Sequence, residues 1–446
     1  MKKPVRYIVQ FCCLAVVFVA VLLQSFTHWV EMKPLSGFTK EIAKEELTFK
    51  TYYNGSYQDY LTEAAKENTG FRELFIRVYN QISYSCFGKI SNDNIIEGAN
   101  HELFLKMYLE EVTGKRLYWF YSSVEEAKAD AQKNVEATKT LIDSLHSHGT
   151  SFLFIFAPSK TAVYPELMPQ EYQEAISDFS LQAYYLQLFK ENGLPYIDFL
   201  SYFQSIKDNF PYPLYTRTGT HWAESTIPMV ADSIYRKLEE TTGYRLPSID
   251  YLDDNITADY SVQDGELEGN LNLLFPLDKP ALPRPVFALK DTLGADRPNL
   301  LVIGDSYFMQ LRQSCFVDAF NHWDYWKYNR DIASSRQAYN GKEVKYLPEA
   351  AQVLKEADIV IAIFTAPCYY NYMYGFPTTA INLYQKGFAD EETAIQLKME
   401  EIKNNPQWYN AVVKQAEERG LTVEENLRKN AIYAIETATK QSNNER

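Results

Sequence analysis

The sequence predicts an α/β fold, a parallel sheet with helices on both faces, and three observations carry that prediction. Near-continuous apolar runs at residues 151–157, 299–303 and 358–364 have the composition of central parallel strands covered on two sides. Helix-period stretches stand beside them. Helix followed by strand occurs twice in the first half of the chain, and the rhythm returns after residue 222, which is the order that builds an α/β sheet.

A helix is predicted from Ser123, where Ser123-x-x-Glu126 has the capping-box form, to His148, with Gly149 as its stop. The strand at 151–157 follows and Pro158 closes it. A second helix covers about 170–191, and a short strand covers 195–199. Later, 222–240 and 307–320 read as helices flanking the strand at 299–303. Residues 248–298, with Pro280, Pro283, Pro285 and Pro298, read as a less regular connector or inserted lobe. Beyond Asp390 three helices are expected: Asn405-Pro406 marks a start, Gly420 a stop, and Thr422-x-x-Glu425 a second capping box. No internal repeat is visible.

At the N-terminus Lys2, Lys3 and Arg6 precede an apolar run from Tyr7 to Phe26. Roughly 20 residues at ~1.5 Å each reach ~30 Å, the thickness of a bilayer core. Bulky residues, Leu22 to Trp29, stand where a signal-peptide cleavage site needs small ones, so an uncleaved single anchor is expected. The basic flank then stays in the cytoplasm and the rest of the chain lies outside it. The predicted spans are 1–30 as transmembrane anchor, 31–94 as juxtamembrane helical segment, 95–386 as the α/β domain and 387–446 as C-terminal helical appendage. Across 446 residues, 44 basic against 58 acidic side chains give a net charge of −14, which argues against nucleic acid as a partner. Five scattered cysteines make no disulfide framework and no zinc-type pair, and neither a metal cluster nor a phosphate-binding glycine loop is visible. The 34 tyrosines suit either core packing or a sugar-stacking surface.

The most informative local pattern is the apolar strand at 300–303 running into Gly304-Asp305-Ser306-Tyr307 and a predicted helix. In open α/β sheets ligands bind beyond the carboxyl ends of strands, so Ser306 stands where a nucleophile is placed, and its own N–H is positioned to stabilise an oxyanion. The same tripeptide is also an ordinary helix-capping sequence. Serine needs a base, and histidine is the usual one. Of six histidines, His221 in Arg217-Thr218-Gly219-Thr220-His221-Trp222 lies at a loop-to-helix junction, whereas His146 and His148 close a helix where positive charge is favoured anyway.

These motifs together resemble the SGNH-type polysaccharide O-acetyltransferases, in particular the alginate O-acetyltransferase branch, where the histidine motif precedes the serine motif. Thr220-His221-Trp222 comes first, and Ser306 follows His221 by 85 residues. Ala157-Pro158-Ser159-Lys160 and Tyr164-Pro165-Glu166-Leu167-Met168-Pro169 also resemble the segment after that family's first strand. The likeness covers roughly residues 94–376. It implies an SGNH-like catalytic domain with permuted motif order, Ser306 as nucleophile, His221 as base and the Ser306 N–H in the oxyanion hole. One departure stands out: the branch has Asp two residues before the histidine, and this chain has Gly219. Losing an orienting carboxylate costs on the order of 10⁴-fold in a triad that relies on it. A backbone carbonyl, another acid such as Glu224, Asp264 or Glu266, or a degenerate site are the alternatives. Asp305 reads more as a brace of the turn than as the acid, and Tyr328-Asn329-Arg330 is a candidate cleft lining.

The resemblance implies an O-acetyltransferase acting outside the cytoplasmic (inner) membrane, in the periplasm, on a cell-surface or exported polysaccharide. It implies no bound cofactor, because acetyl-CoA is cytoplasmic; a membrane-bound O-acyltransferase family partner delivers the acetyl donor. A carbohydrate acetylesterase and a catalytically degenerate glycan-binding or assembly protein remain open as alternatives.

Overall fold

The computed structural model describes residues 3–37, 42, 44–292 and 294–444; Lys2 of the basic flank lies outside them. The chain forms two compact units that interleave along the sequence. The first comprises Met1–Lys106, Arg217–Thr220 and Tyr260–Pro280, and the second Met107–Thr216, His221–Asp259 and Ala281–Arg446.

In the first unit Lys3–Thr27 is one helix, of which Val5–Thr27 is long and apolar enough to cross a membrane. Its last turn is fastened by polar side chains. Ser25 Oγ accepts from the Gly70 N–H at 2.7 Å, and Gln24 both donates to the Val30 carbonyl and accepts from the Val30 N–H. Only glycine fits at 70, since a Cβ there would lie 2.2 Å from the Val21 carbonyl oxygen. The helices Ser56–Glu67 and Arg72–Phe87 follow, then an antiparallel pair, β1 (Ile95–Glu97) and β2 (Leu103–Leu105). A short helix, Glu266–Leu271, buries Leu267 and Leu271 against Ile95 and Leu103.

The second unit is built on a six-stranded sheet. Its members are β3 (Ser151–Phe156), β4 (Tyr196–Asp198), β7 (Leu300–Gly304), β8 (Trp323–Lys327), β9 (Asp331–Ser334) and β10 (Ile359–Phe364), while β5 (Ser248–Thr257) and β6 (Leu282–Lys290) form a separate ribbon. The order across the sheet is β4-β3-β10-β7-β8-β9, parallel except for the β8–β9 pair. The three apolar runs occupy its centre, with Ile361 of β10 opposite Leu153 of β3 and Val302 of β7. Because side chains alternate along a strand, Phe152, Phe154, Phe156, Val360, Ala362 and Phe364 enter one core, under the helices Val124–Ser147 and Leu181–Glu191. Leu153, Ile155, Ile359, Ile361 and Ile363 enter the other, under Ile227–Thr242.

Predicted caps locate the helix ends well. Ser123 Oγ accepts from the Glu126 N–H at 3.1 Å, Asn405 Oδ1 from the Trp408 N–H at 3.2 Å, and Thr422 and Glu425 close a reciprocal box. The three C-terminal helices, Glu391–Asn404, Pro406–Arg419 and Val423–Asn444, pack on Ile395, Met399, Ile402, Val412, Leu427 and Ala431. Three predicted helices differ. The one at 170–191 is broken into Gln170–Gln173 and Leu181–Glu191, the latter capped by Ser180. The one at 307–320 is Phe308–Gln313 followed by a 3₁₀ turn, because Ser314 takes extended backbone and its hydroxyl caps Phe316. The one at 222–240 begins only at Ile227, after a 3₁₀ turn and with Pro228 in its first turn. The connector is more regular than expected: β5 and β6 pair antiparallel around a bulge at Tyr251/Asp253. Pro283 and Pro285 are tolerated in β6 because this two-stranded ribbon leaves one edge without ladder partners.

Glu111, in the helix Lys106–Val112, is a buried acid within this unit. Burial pushes its carboxyl up to about 7 from an ordinary 4.5, against the opposing pull of Arg116. A raised acid contributes stability below about 4.5 that is lost as pH rises through about 7. Glu111→Gln is therefore expected to stabilise the protein at pH 8, by at most ~3 kcal/mol, and to flatten the decline between pH 5 and 7.5 in urea melts. An unchanged pH profile would contradict this.

Candidate active site

β7 ends at Gly304, and the chain turns there so tightly against β10 that a Cβ on residue 304 would stand 2.6 Å from Ile363 Cγ2 and 2.9 Å from the Ile363 carbonyl oxygen. Asp305 follows and is buried. Its Oδ1 accepts from the Tyr307 N–H at 3.0 Å. Its Oδ2 accepts from the Thr365 N–H at 2.7 Å, the Thr365 hydroxyl at 2.6 Å and the Cys368 thiol at 3.3 Å. The Asp305 carbonyl in turn receives the Tyr325 hydroxyl at 2.5 Å. Burial, and then the charge of Asp305, hold the Cys368 thiol well above its ordinary range, so it serves as a donor. Asp305 thus spends its carboxylate on the turn, and Ser306 is presented half-buried beyond the carboxyl end of β7.

His221 reaches Ser306 from another segment. Tyr215 and Trp222 form an isolated antiparallel bridge, and the Ala223 N–H donates to the Leu214 carbonyl, so the loop is closed at its base beside His221. Trp222 is buried against Phe199, Phe203 and Tyr307, and its carbonyl accepts from Gln310 Nε2 at 2.9 Å. The Thr216 carbonyl accepts from the buried Lys160 Nζ at 2.8 Å. His221 packs on the Tyr307 ring, with centroids 4.8 Å apart, and His221 Nε2 lies 2.7 Å from Ser306 Oγ. With Nε2 unprotonated, this contact is a serine hydroxyl donating to imidazole, the arrangement a general base requires.

The other candidates have defined surroundings. Glu224, in the 3₁₀ turn after His221, pairs with Arg284 of β6 at 3.2 Å. Asn329 has left-handed backbone, and its amide donates to the Tyr374 carbonyl at 3.0 Å and the Thr379 hydroxyl at 2.9 Å, bracing the segment after β8 against the one after β10. Asp264 is buried in the first unit, where its carbonyl accepts the Thr218 hydroxyl at 3.1 Å, and Glu266 Oε1 accepts the Thr220 N–H at 2.9 Å. Tyr328, weighed only as cleft lining, has its phenol at Ser306. Burial first, then the Asp305 charge, push it up to about 12, while hydrogen bonding with the Ser306 side chain and from the Ser306 backbone N–H acts the other way. Thr365 and Cys368 escaped the reading of the sequence. Their signal is position: both follow the apolar strand that neighbours β7. Among the described residues no three His, Cys, Asp or Glu side chains are grouped as metal ligands.

Asp305→Asn would turn an amide N–H₂ toward donors that now find carboxylate oxygens. A loss of ~2–3 kcal/mol in unfolding free energy is expected, measured from denaturant midpoints; unchanged stability would contradict the bracing role.

Residues 112–311, a stretch that includes both His221 and Ser306, match the family model described as the SGNH hydrolase-like domain, acetyltransferase AlgX. The chain is 26% identical over 171 residues to the probable alginate O-acetylase AlgJ of Pseudomonas aeruginosa, covering 37% of this chain and 42% of that protein. It is 25% identical over 175 residues to the protein of the same name from Pseudomonas syringae pv. tomato, with the same coverage of 37% and 42%. The chain thus spans 42% of the length of these curated relatives. Among solved structures it is similar to the O-acetyltransferase domain of Pseudomonas putida AlgJ, at 14% identity and TM-score 0.39 over 62% of this chain and 92% of that one. It is also similar to Pseudomonas aeruginosa AlgX, at 13% identity and TM-score 0.41 over 65% and 66%. Over residues 112–311 the chain carries an SGNH hydrolase-like domain, built on the parallel sheet described above.

Proposed function

We propose that this protein is an extracytoplasmic O-acetyltransferase that passes an acetyl group through an acyl-serine at Ser306 to hydroxyls of a cell-surface or exported polysaccharide. The observation that carries the reading is the 2.7 Å contact between His221 Nε2 and Ser306 Oγ at the carboxyl end of a parallel sheet. The relatives named as probable alginate O-acetylases support the acetyl group and the glycan.

In this reading His221 Nε2 takes the Oγ proton as Ser306 attacks the donor's acetyl carbonyl, and returns it to the leaving group. The acetyl–Oγ bond forms and the acetyl–donor bond breaks. A sugar hydroxyl then attacks the acyl-serine, its proton passing to His221 and finally back to Oγ. The Ser306 N–H, which faces the Tyr328 phenol, supplies one oxyanion donor, and the phenol, protonated below about 12, supplies a second. The helix Val5–Thr27 would anchor the chain in the inner membrane with the globular part in the periplasm. Acetyl-CoA stays in the cytoplasm, so a membrane-bound O-acyltransferase partner would deliver the acetyl group, and this chain would bind no cofactor of its own.

The full-length protein, incubated with an aryl acetate and examined by intact mass, is expected to gain one acetyl increment that Ser306→Ala abolishes. No adduct and no aryl acetate turnover would overturn the transferase reading in favour of glycan binding.

A further inference from the structure

The helix Arg72–Phe87 of the first unit is amphipathic in the inverted sense, with its polar side chains toward the protein and its apolar ones outward. Arg77 donates to the Pro34 carbonyl at 2.8 Å, Asn80 to the Leu271 carbonyl at 2.9 Å and Tyr84 to Glu97 at 3.2 Å, while Gln81 Oε1 accepts from the Phe275 N–H at 3.0 Å. On the opposite side Phe75, Val78, Tyr79, Ile82 and Cys86, at the three- and four-residue spacing of one helix face, form an exposed stripe in which Tyr79 is 63% and Ile82 52% exposed. Such a row left in water is unfavourable and marks a contact surface. The start of the helix says what covers it. Gly70, two residues earlier, donates its N–H to Ser25 Oγ at 2.7 Å and, lacking a Cβ, closes on the Val21 carbonyl of the apolar helix. Val21 lies about 7 Å short of the end of the apolar run at Phe26. Arg72–Phe87 therefore leaves the anchor at the depth where an interfacial helix buries its apolar face, roughly 5–10 Å into the boundary between headgroups and acyl chains. Trp29, exposed just beyond the anchor, is of the residue type that sits at that level.

We propose that the helix Arg72–Phe87 lies in the outer surface of the bilayer that the anchor crosses, with Phe75, Val78, Tyr79 and Ile82 among the acyl chains just beneath the headgroups. The partner of this face is the lipid itself, and the helix is a second, in-plane attachment beside the spanning one. The proposal rests on the reading of Val5–Thr27 as a membrane anchor. The polar contacts of Arg77, Asn80, Gln81 and Tyr84 hold the stripe toward the lipid. The stripe itself is uncharged, and Arg72 at the head of the helix is paired with Glu67 at 2.7 Å, so the attachment is made by apolar surface and needs no anionic lipid.

The full-length protein would be reconstituted into phosphatidylcholine vesicles that contain a fraction of phosphatidylcholine with a photoactivatable diazirine near the ester end of one acyl chain. After irradiation with glutathione in the aqueous phase as scavenger, adducts would be located by mass spectrometry. They are expected on the anchor, residues 7–26, and on Phe75, Tyr79 and Ile82 at yields several-fold above those on Arg77, Asn80 and Gln81, with no change when phosphatidylglycerol is added. Tyr79→Glu/Ile82→Glu, which alters exposed side chains only, should cut the helix adducts several-fold while the anchor adducts and the far-UV circular dichroism stay as in the wild type. A labelled anchor beside an unlabelled stripe, equal yields on the two faces of the helix, or helix adducts that persist in the variant would overturn the proposal alone. A Cys86–Cys86 disulfide formed in vesicles whose stripe is unlabelled would give that face to a second copy of the chain instead. Absence of adducts on residues 7–26 would overturn the anchor reading itself, and the proposal with it.

Discussion

The carboxylate of Asp305 is the interaction on which the site depends. Three neighbouring strands converge on this residue: β7 delivers it, β10 is followed by Thr365, which donates to it twice, and β8 contributes Tyr325, whose hydroxyl holds its carbonyl. A buried carboxylate is stable only when its oxygens are well supplied with donors, and here backbone, hydroxyl and thiol donors supply them. The position of Ser306 is consequently inherited from the sheet register. The close approach of Gly304 to Ile363 adds to this, since no side chain at 304 would let β7 and β10 meet as they do.

His221 is fixed by different means. Aromatic packing of Trp222 and Tyr307, the closure at Tyr215–Trp222, and the hydrogen bonds from Lys160 to Thr216 and Gln310 to Trp222 set the ring on Tyr307 and aim Nε2 at Ser306. Gln310 is placed to do two things, since its helix starts two residues after Ser306 while its amide holds Trp222, the neighbour of His221. With Ser306 set by strands and His221 by a packed loop, the pair is held at hydrogen-bond distance without rearrangement. The departure at Gly219 does not prevent the His–Ser contact.

Much of this was legible in the residues. The apolar strands, the paired motifs at His221 and Ser306, and the capped helices at Ser123, Asn405 and Thr422 are local signals, each carried by a few adjacent side chains. What escaped is what depends on distant partners or on chain breaks. The β5–β6 ribbon hid behind Pro283 and Pro285, which argue against a central strand but not against a ribbon edge. The break at Ser314 has a helix-period pattern on either side and shows only in its extended backbone. The Glu224–Arg284 pair spans 60 residues of sequence, and the clamp on Asp305 comes from Thr365, again 60 residues away. No spacing rule joins them.

Rapid-quench measurement of Ser306 acylation by an aryl acetate, in the wild type and in His221→Gln, tests most directly whether the 2.7 Å contact is chemical. A base acting in the acylation step predicts a rate ~10²- to 10⁴-fold slower in the variant with the fold unchanged. Acylation at the wild-type rate in His221→Gln would contradict the assignment of His221 as the base.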